Sequence, residues 1–356
     1  MRTSRTIQVL DLHAGGEPLR LITAGYPPVP DAPILERRRW VREHADDVRR
    51  IACFEPRGHR DMYGAVLLPP HRSDADVAVL FMHNEGYSTM CGHGIIALGT
   101  ALVEEGWFPA LAPTTTIRFE VPAGLVTAEV AVSLDALGAP VVERVRFENV
   151  PSYLAARDLV LRPDGVPLAG SAETRGALRA DIGFGGAYYG IVDAADLGLR
   201  VVPAHVEALT RAGAAITEVL RRDHVPVHPF EPDLGFVYGT IIVDRDPATA
   251  PDGAATDADI RNVTIFAEAE VDRSPCGTGT SAILARDAAI GAIGVGSTLR
   301  NASITGAVFE GGVARRTTLG PYAAIVPTVA GTAHVTGTAT FVVDPRDPLG
   351  GGFLLR

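Results

Sequence analysis

The sequence has few cysteines and no long apolar run, and both shortages narrow the class of protein. Three cysteines, Cys53, Cys91 and Cys276, occur in 356 residues. Because the cysteines are few and their number is odd, the sequence argues against a disulfide scaffold and favours a reducing compartment. No run of about 18 apolar residues occurs, which argues against a membrane-spanning helix. We therefore expect a cytoplasmic protein without a membrane segment.

Positive charge is also scarce. The chain has 32 Lys and Arg against 42 Asp and Glu, and its formal net charge is -10. An acidic chain without a basic cluster argues against binding to nucleic acid or to an anionic membrane. Near the N-terminus, Asp11, His13 and Glu17 stand where a secretory signal would need an apolar core. Neither nucleic acid nor membrane is therefore an expected partner.

Two of the cysteines lie in matching surroundings. The chain reads Cys-Gly-x-Gly in residues 91–94, beginning with Cys91, and again in residues 276–279, beginning with Cys276. The offset is 185 residues (276 minus 91), and the same offset places Phe81 on Phe266. The match predicts an internal repeat, in which the two halves of the chain have the same arrangement of secondary structure.

Each motif lies between a predicted strand and a predicted helix. Residues 76–82 and 262–269 are rich in β-branched and apolar residues, as is typical of strands. After Cys91, apolar residues recur at helical spacing as far as Gly106, and residues 281–290 predict the matching helix. Each cysteine is therefore expected at the start of a central helix.

The remaining sequence favours a mixed α/β chain with two lobes, because 356 residues exceed the usual size of one hydrophobic core. Residues 204–222 predict a helix, and the Pro- and Ala-rich residues 246–258 predict a surface loop. The glycine-rich residues 181–186 lack the dinucleotide fingerprint. We interpret them as a close approach of backbone between the lobes. Cys53 lies in an apolar run and is assigned to the core.

A cysteine at the start of a helix is suited to proton transfer. The first N–H groups of a helix carry partial positive charge, bind carboxylates and favour thiolate over thiol. Adjacent glycines let a ligand approach this backbone closely. Two such cysteines can remove a proton from one face of an α-carbon and return a proton to the other. The helix starts can stabilise the enolate-like charge that develops on the carboxylate. Cys91 and Cys276 therefore predict stereochemical inversion next to a carboxylate, without a metal or an organic cofactor.

At these residues the sequence resembles the proline racemase family. That family includes proline racemases, 4-hydroxyproline 2-epimerases and trans-3-hydroxy-L-proline dehydratases. The resemblance is strongest at residues 90–94 and 272–280, and it extends almost end to end through residues 13–18, 55–64, 83–87 and 347–355.

The resemblance implies a fold similar to that of diaminopimelate epimerase. That fold has two pseudo-symmetric α/β lobes, each a curved, mostly antiparallel sheet around a central helix, with the active site in the cleft between them. The first lobe would comprise residues 1–150 and 340–356 and carry Cys91. The second would comprise residues 151–339 and carry Cys276. A homodimer is also implied.

The resemblance further implies roles for individual residues. Cys91 and Cys276 would be the two bases, and Asp272, assisted by His93, would meet the ring nitrogen of an imino acid such as proline or a hydroxyproline. The remaining substrate contacts would be backbone groups for the carboxylate and side-chain walls for the ring. The backbone groups are those of Gly92, His93, Gly277 and Thr278, and the walls are Tyr63 and Phe266.

Two parts of the resemblance disagree about the reaction. Residues 55–64 and 83–87 are more similar to the dehydratase branch, but that branch carries threonine where this chain has Cys276. Dehydration needs one base, whereas inversion needs an acid on the second face. We therefore favour racemisation or 2-epimerisation, with proline preferred because Tyr63 and Phe266 offer a ring hydroxyl little polar contact. Dehydration of trans-3-hydroxy-L-proline and 2-epimerisation of 4-hydroxyproline are the alternatives.

Other interpretations of the same residues are weaker. The spacing of His13, His59 and His83 fits no usual zinc pattern, so no metal site is expected. A thiol redox protein would normally place its cysteines close together, and a solute-binding protein would normally carry an export signal. Structural alternatives are a helix-start role for His93 and a turn-capping role for Asp272.

Overall fold

The computed structural model describes residues 5–166, 168, 177–246 and 257–355, which form two compact units. The first unit runs up to Phe147 and is completed by the segment from Thr332 onward, and the second unit is Glu148–Gly331. Residues 247–256 of the predicted surface loop lie outside the described residues. No helix in the described parts of the chain is long and apolar enough to cross a membrane.

The elements of the N-terminal part alternate between strands and helices. They are β1 (Arg5–Ala14), β2 (Glu17–Ala24), α1 (Ile34–His44), α2 (Asp46–Cys53), β3 (Tyr63–Leu68), β4 (Val77–His83), α3 (Gly92–Glu104), β5 (Thr114–Val121), β6 (Gly124–Leu134) and β7 (Pro140–Glu148).

The rest of the chain follows a similar alternation. Its strands and α-helices are β8 (Ser152–Leu161), β9 (Leu178–Phe184), β10 (Tyr188–Asp193), α4 (Val206–Asp223), β11 (Val237–Asp244), β12 (Ile260–Phe266), β13 (Glu270–Asp272), α5 (Gly277–Ala289), β14 (Thr298–Ala302), β15 (Val308–Leu319), β16 (Tyr322–Gly331) and β17 (Ala333–Val343).

The two units repeat one order of strand pairing. In the first unit β17, β1 and β2 are antiparallel neighbours, β2 is parallel to β3, β3 is antiparallel to β4, β4 is parallel to β5, and β5 is antiparallel to β6. The second unit follows the same order with β8, β9, β10, β11, β12, β14 and β15. A parallel pair needs a long crossover, which is usually helical. Helices α1 and α2, then α3, supply the crossovers of the first unit, and α4 and α5 supply those of the second. The repeat inferred from the two cysteine motifs therefore extends to the topology.

Strand β17 belongs to the first unit. It pairs with β1 along its length, from Ala333 opposite Ala14 to Val343 opposite Arg5. The sequence-based boundary at 339/340 assigns most of this strand to the second lobe, whereas the pairing with β1 assigns all of it to the first unit. In the second unit, β16 pairs with both β15 and β8.

Both faces of the sheet in the first unit are covered, which explains the unbroken apolar run of β4. Leu80 and Met82 belong to a core cluster with residues of α1 and α2, and Cys53 of α2 is fully buried in that cluster, as predicted. Phe81 points to the other face, since a Cβ on Gly94 of α3 would lie 2.3 Å from its ring. A strand covered on both faces has no reason to alternate between apolar and polar residues. Helix α3 is accordingly buried along almost its whole length.

The second unit holds its central helix α5 by a close backbone approach. A Cβ on Gly183 would lie 3.1 Å from the carbonyl oxygen of Ala282, and a Cβ on Gly185 would lie 2.2 Å from that of Thr278. The close approach that we expected between the lobes is thus found within the second unit, between β9 and α5. Asn149 strengthens it, because its side-chain amide donates to the Gly185 carbonyl at 2.8 Å and to the Ser281 hydroxyl at 2.9 Å.

A helix and a strand of this unit lie where the sequence predicts them, with different ends. The predicted helix over 204–222 is confirmed as α4 (Val206–Asp223). The predicted strand over 262–269 is observed as β12, which ends earlier, at Phe266. Ala267 and Ala269 adopt positive φ, so the chain turns there into β13. That turn places the end of β13 directly before the second cysteine motif.

Candidate active site

Cys91 caps the first turn of α3. Its backbone is extended (φ −144°), and its Sγ accepts a hydrogen bond from the N–H of Gly94 at 3.2 Å. The sulfur thus takes the place of the side-chain oxygen that usually caps a helix N-terminus. Gly94 has to be a glycine, since a Cβ there would collide with the ring of Phe81. Cys91 is only 4% exposed, so its thiol lies in a buried setting.

The imidazole of His93 lies against the sulfur of Cys91. Its Nδ1 is 3.2 Å from Sγ, and its Nε2 is 3.7 Å away. The rings of Tyr63 and His93 form a T-shaped pair with centroids 4.9 Å apart, and the Tyr63 hydroxyl donates to Ser88 at 2.7 Å. The structure therefore brings together three of the predicted site residues of the first unit.

Cys276 caps α5 in the same way but with a different backbone. Its Sγ accepts from the N–H of Gly279 at 3.3 Å. Its φ is +59° and its ψ is 105°, whereas Cys91 is extended. A positive φ is uncommon for a residue other than glycine. The N–H of Cys276 donates to the Ser274 hydroxyl at 3.1 Å, which holds the residue in this conformation.

Asp272 is joined to Cys276 through Ser274. One carboxylate oxygen of Asp272 accepts from the N–H of Ser274 at 2.8 Å and from its hydroxyl at 2.7 Å. Asp272 is buried, and burial raises the pKa of its carboxyl group, while the two hydrogen bonds from Ser274 act in the opposite direction. Asp272 thus does cap the turn, and it also places a buried carboxyl group beside the cysteine.

Hydroxyl groups surround the sulfur of Cys276. The Thr278 oxygen is 3.5 Å from Sγ, and the Tyr189 oxygen is 4.0 Å from it. Tyr189 and Thr278 are hydrogen-bonded to each other at 2.7 Å. Burial raises the pKa of the Cys276 thiol to about 12, and the negative charge of Asp272 acts in the same direction. The thiol form of Cys276 is therefore strongly favoured in this state.

Phe266 belongs to an aromatic group that ends at the same cysteine. Its ring stacks on Tyr238 with centroids 5.5 Å apart, and Tyr238 meets Tyr189 edge to face at 5.8 Å. Sequence reasoning missed Tyr189, which stands on a strand outside any motif. It also missed Ser274, although the spacing Asp-x-Ser-x-Cys places Ser274 two residues from both Asp272 and Cys276.

The four residues expected to contact a carboxylate lie in the first turns of the two central helices. Gly92 and His93 begin α3, and Gly277 and Thr278 begin α5. The N–H groups of a first helical turn have no carbonyl partner in their own helix, and they carry partial positive charge. Each unit therefore places a helix start of the kind that suits an anion directly beside a cysteine sulfur.

The chain has two α/β units of the same topology, and in each unit a cysteine caps a buried central helix. These features define the class of diaminopimelate-epimerase-like proteins. Within it the particular family follows from the sequence, since the model of the proline racemase family matches residues 9–354 and the chain belongs to that family.

Three similar proteins refine this assignment. The chain is 42% identical to the trans-3-hydroxy-L-proline dehydratase of Burkholderia cenocepacia and 43% identical to the 3-hydroxyproline 2-epimerase of Burkholderia multivorans, over the full length of all three chains. A hydroxyproline epimerase from Agrobacterium vitis, solved with bound trans-4-hydroxy-L-proline, superimposes with a TM-score of 0.86. That pair is 32% identical, and the match covers 100% of this chain and 97% of the other. The predicted fold class and family are confirmed, and the protein is an enzyme of the amino-acid racemase and epimerase class.

Proposed function

We propose that the protein inverts the α-carbon of a 3-hydroxyproline, with Cys91 and Cys276 as the two proton-transferring groups. The observation that carries the proposal is the pair of buried sulfurs, each at the N-terminus of a central helix. The relatives at 42% and 43% identity are named for trans-3-hydroxy-L-proline and 3-hydroxyproline. Their names favour a 3-hydroxylated ring over proline, which the sequence alone favoured.

The surroundings of Cys276 support a hydroxylated ring. The preference for proline assumed that the pocket is lined by Tyr63 and Phe266 alone. The hydroxyls of Tyr189 and Thr278 also lie within 4.0 Å of the Cys276 sulfur. They supply the polar contact that a ring hydroxyl needs, because a buried hydroxyl without a hydrogen bond is costly.

In the proposed reaction one cysteine thiolate takes the proton from the α-carbon and becomes a thiol. The electron pair passes into the carboxylate, and the helix starts of α3 and α5 stabilise the resulting enediolate. The other cysteine thiol then gives its proton to the opposite face and becomes a thiolate. Asp272 accepts a hydrogen bond from the protonated ring nitrogen. No proton is gained or lost overall.

Dehydration is the second candidate, and the 42% identical dehydratase favours it. It shares the first step. In trans-3-hydroxy-L-proline the α-hydrogen and the hydroxyl lie on the same ring face, so the thiol formed in that step can protonate the leaving hydroxyl. The C3–O bond breaks, water leaves, and the enamine that remains tautomerises to a cyclic imine acid. This route needs no acid on the second face, whereas Cys276 supplies one.

The experiment is incubation of the enzyme in D2O with trans-3-hydroxy-L-proline, trans-4-hydroxy-L-proline or L-proline, each followed by NMR and chiral chromatography. Inversion with one deuterium at the α-carbon, fastest for the 3-hydroxylated substrate, is the expected result. Loss of the hydroxyl with formation of the imine acid would establish dehydration instead.

Variants test the two-cysteine part of the proposal. Cys91→Ser and Cys276→Ser should each abolish inversion, because the serine hydroxyl is a far weaker acid than a thiol. Cys53→Ala is the matched control, since Cys53 is buried in a separate core cluster, and it should retain inversion. Inversion at the native rate in either serine variant would contradict the proposal.

We also propose that the protein acts in the cytoplasm as a homodimer, as the family resemblance and the composition imply. Light scattering coupled to gel filtration should give twice the mass of the 37.5 kDa chain. A monomer mass at the concentrations used for the activity assay would refute the dimer.

A further inference from the structure

We infer that the two cysteines rest in opposite protonation states, Cys91 as a thiolate paired with a protonated His93 and Cys276 as a neutral thiol. The inference goes beyond the proposed function because it states which cysteine is the base in the resting enzyme. The assignment of the thiols does not depend on the substrate. Only its stereochemical consequence rests on the proposed function.

The asymmetry is visible at one position of the internal repeat. Two residues after the cysteine, the first motif carries His93 and the second carries Thr278. The structure shows that this position faces the sulfur in both units, with His93 Nδ1 at 3.2 Å from Cys91 and Thr278 Oγ1 at 3.5 Å from Cys276. An imidazole can accept the thiol proton and remain as a cation, whereas a threonine hydroxyl cannot.

The other groups around Cys91 are compatible with an ion pair. The N–H of Gly94 donates to the sulfur from the positive end of α3. Among the described residues, the ring of Tyr63 of β3 forms a T-shaped pair with His93, and the ring of His83 of β4 stacks on Tyr63 at 5.6 Å. Neither side chain is a carboxylate. A cysteine next to a histidine cation at a helix N-terminus is the setting that favours thiolate.

The groups around Cys276 favour the opposite state. The carboxyl group of Asp272 of β13 is joined to the Cys276 backbone by two successive hydrogen bonds through the Ser274 hydroxyl, and Tyr189 of β10 is a phenol whose pKa is raised by burial. Burial and the Asp272 charge both raise the pKa of the Cys276 thiol. Arg273 lowers the pKa of the Asp272 carboxyl and so favours its charged form. The N–H of Gly279 supports a thiolate as that of Gly94 does, so the helix ends do not account for the difference.

The consequence for turnover follows from the proton balance. In the resting enzyme the proton of the Cys91 thiol resides on His93, and Cys276 holds its own proton. The enzyme is then ready for the enantiomer that presents its α-hydrogen to Cys91. After one inversion Cys91 is a thiol and Cys276 is a thiolate, so protons have to exchange before the same enantiomer can react again.

The test is alkylation of the substrate-free enzyme with iodoacetamide over the pH range in which thiols titrate, with each cysteine peptide followed by mass spectrometry. Dividing each rate by its limit at high pH removes the difference in accessibility. We expect Cys91 to reach half of its limiting rate below about pH 7.5, and Cys276 only above the ordinary thiol value of about 8.5. Faster normalised labelling of Cys276 at neutral pH would overturn the inference.

Two variants separate the ion pair from the helix start. In His93→Asn an amide replaces the protonatable ring, so normalised labelling of Cys91 at neutral pH should fall by about ten-fold, from mostly thiolate to a few per cent. His44→Asn is the control, because it removes an exposed imidazole of the same unit and should change nothing. Unchanged labelling of Cys91 in His93→Asn would refute the role of His93.

A second measurement does not depend on whether His93→Asn folds. At neutral pH the ultraviolet absorbance of thiolate should be lost in Cys91→Ser and retained in Cys276→Ser. The reverse result would contradict the assignment. No substrate is present in either experiment, so failure of the proposed function would leave both results unaffected.

Discussion

Gly185 and Thr278 are in direct backbone contact, since a Cβ on Gly185 would lie 2.2 Å from the Thr278 carbonyl oxygen. The residue after β9 therefore sets the position of the first turn of α5, and with it the position of Cys276.

Gly185→Ala should displace that turn. We expect a loss of about 1–3 kcal/mol in the free energy of unfolding, as for other overpacked sites, together with a lower rate of inversion. Urea denaturation and the D2O assay measure the two effects. Gly294→Ala is the matched control, because a Cβ on Gly294 would meet no atom within 4 Å. Native stability and rate in Gly185→Ala would show that α5 does not depend on this contact.

Asp272→Asn should raise stability and lower activity. The asparagine oxygen can still accept both hydrogen bonds from Ser274, but the variant has no buried charge. Burial raises the pKa of Asp272, so its carboxylate form costs stability as pH rises above the ordinary carboxyl value. The gain at neutral pH should be about 1 kcal/mol. Thermal denaturation checks the gain, and a more stable variant with native turnover would contradict the role of Asp272 in binding the substrate.

Cys276→Thr should be more destabilising than Cys91→Thr. The backbone of Cys276 has φ +59°, where a β-branched residue is strained, whereas Cys91 is extended (φ −144°). Relative to the matching serine variants, threonine should cost about 1–3 kcal/mol more at 276 than at 91. Urea denaturation of the four variants gives this comparison. Cys276→Thr should also lose inversion, while dehydration of trans-3-hydroxy-L-proline, which needs one base, can persist. Equal costs at the two positions would show that residue 276 relaxes out of the strained conformation.

Stability should fall at alkaline pH partly because of Cys276. Its thiol pKa is raised in the folded protein from 9.0 to about 12. Between these values the unfolded chain has lost the thiol proton and the folded chain has kept it. The folded state therefore binds more protons, and stability decreases as pH rises, by at most about 1.4 kcal/mol per pH unit. The Cys276→Ser variant has no thiol at this position that titrates, so its unfolding free energy should decline less steeply above pH 9.0. Parallel curves for the two proteins would contradict the raised pKa.

The central helices and their cysteine caps could be predicted because their signals are local. Two glycines follow each cysteine, and apolar residues at helical spacing come next, so the starts of α3 and α5 could be placed from the sequence. Helices α1 and α2 were missed for a physical reason. Buried arginines, Arg37 in α1 and Arg49 in α2, occupy part of their inner faces, and charged residues at buried positions disrupt the apolar periodicity. Arg49 is accommodated because it forms an ion pair with Asp46 and donates to the carbonyls of His83 and Asn84.

The candidate site could be predicted where its residues share a motif and not where strands supply them. Asp272, Cys276 and His93 stand in or beside the two motifs. Tyr189 stands on β10, which pairs with β11, and no spacing in the sequence reports the pairing that brings it near Cys276. The end of β12 was also unpredictable, since nothing about Ala267 signals a positive φ.

The pairing of β17 with β1 has a consequence for the order in which the protein folds. Strand β1 needs residues 333–343 as a neighbour, and these are synthesised after all of the second unit. Glu55 and Arg57 likewise bond to the chain near its C-terminal end, at Phe353 and Gly350. The second unit is continuous in sequence and can fold while the ribosome is still at work. The unit that is begun first is therefore completed last, and folding of the enzyme ends with closure of its N-terminal sheet.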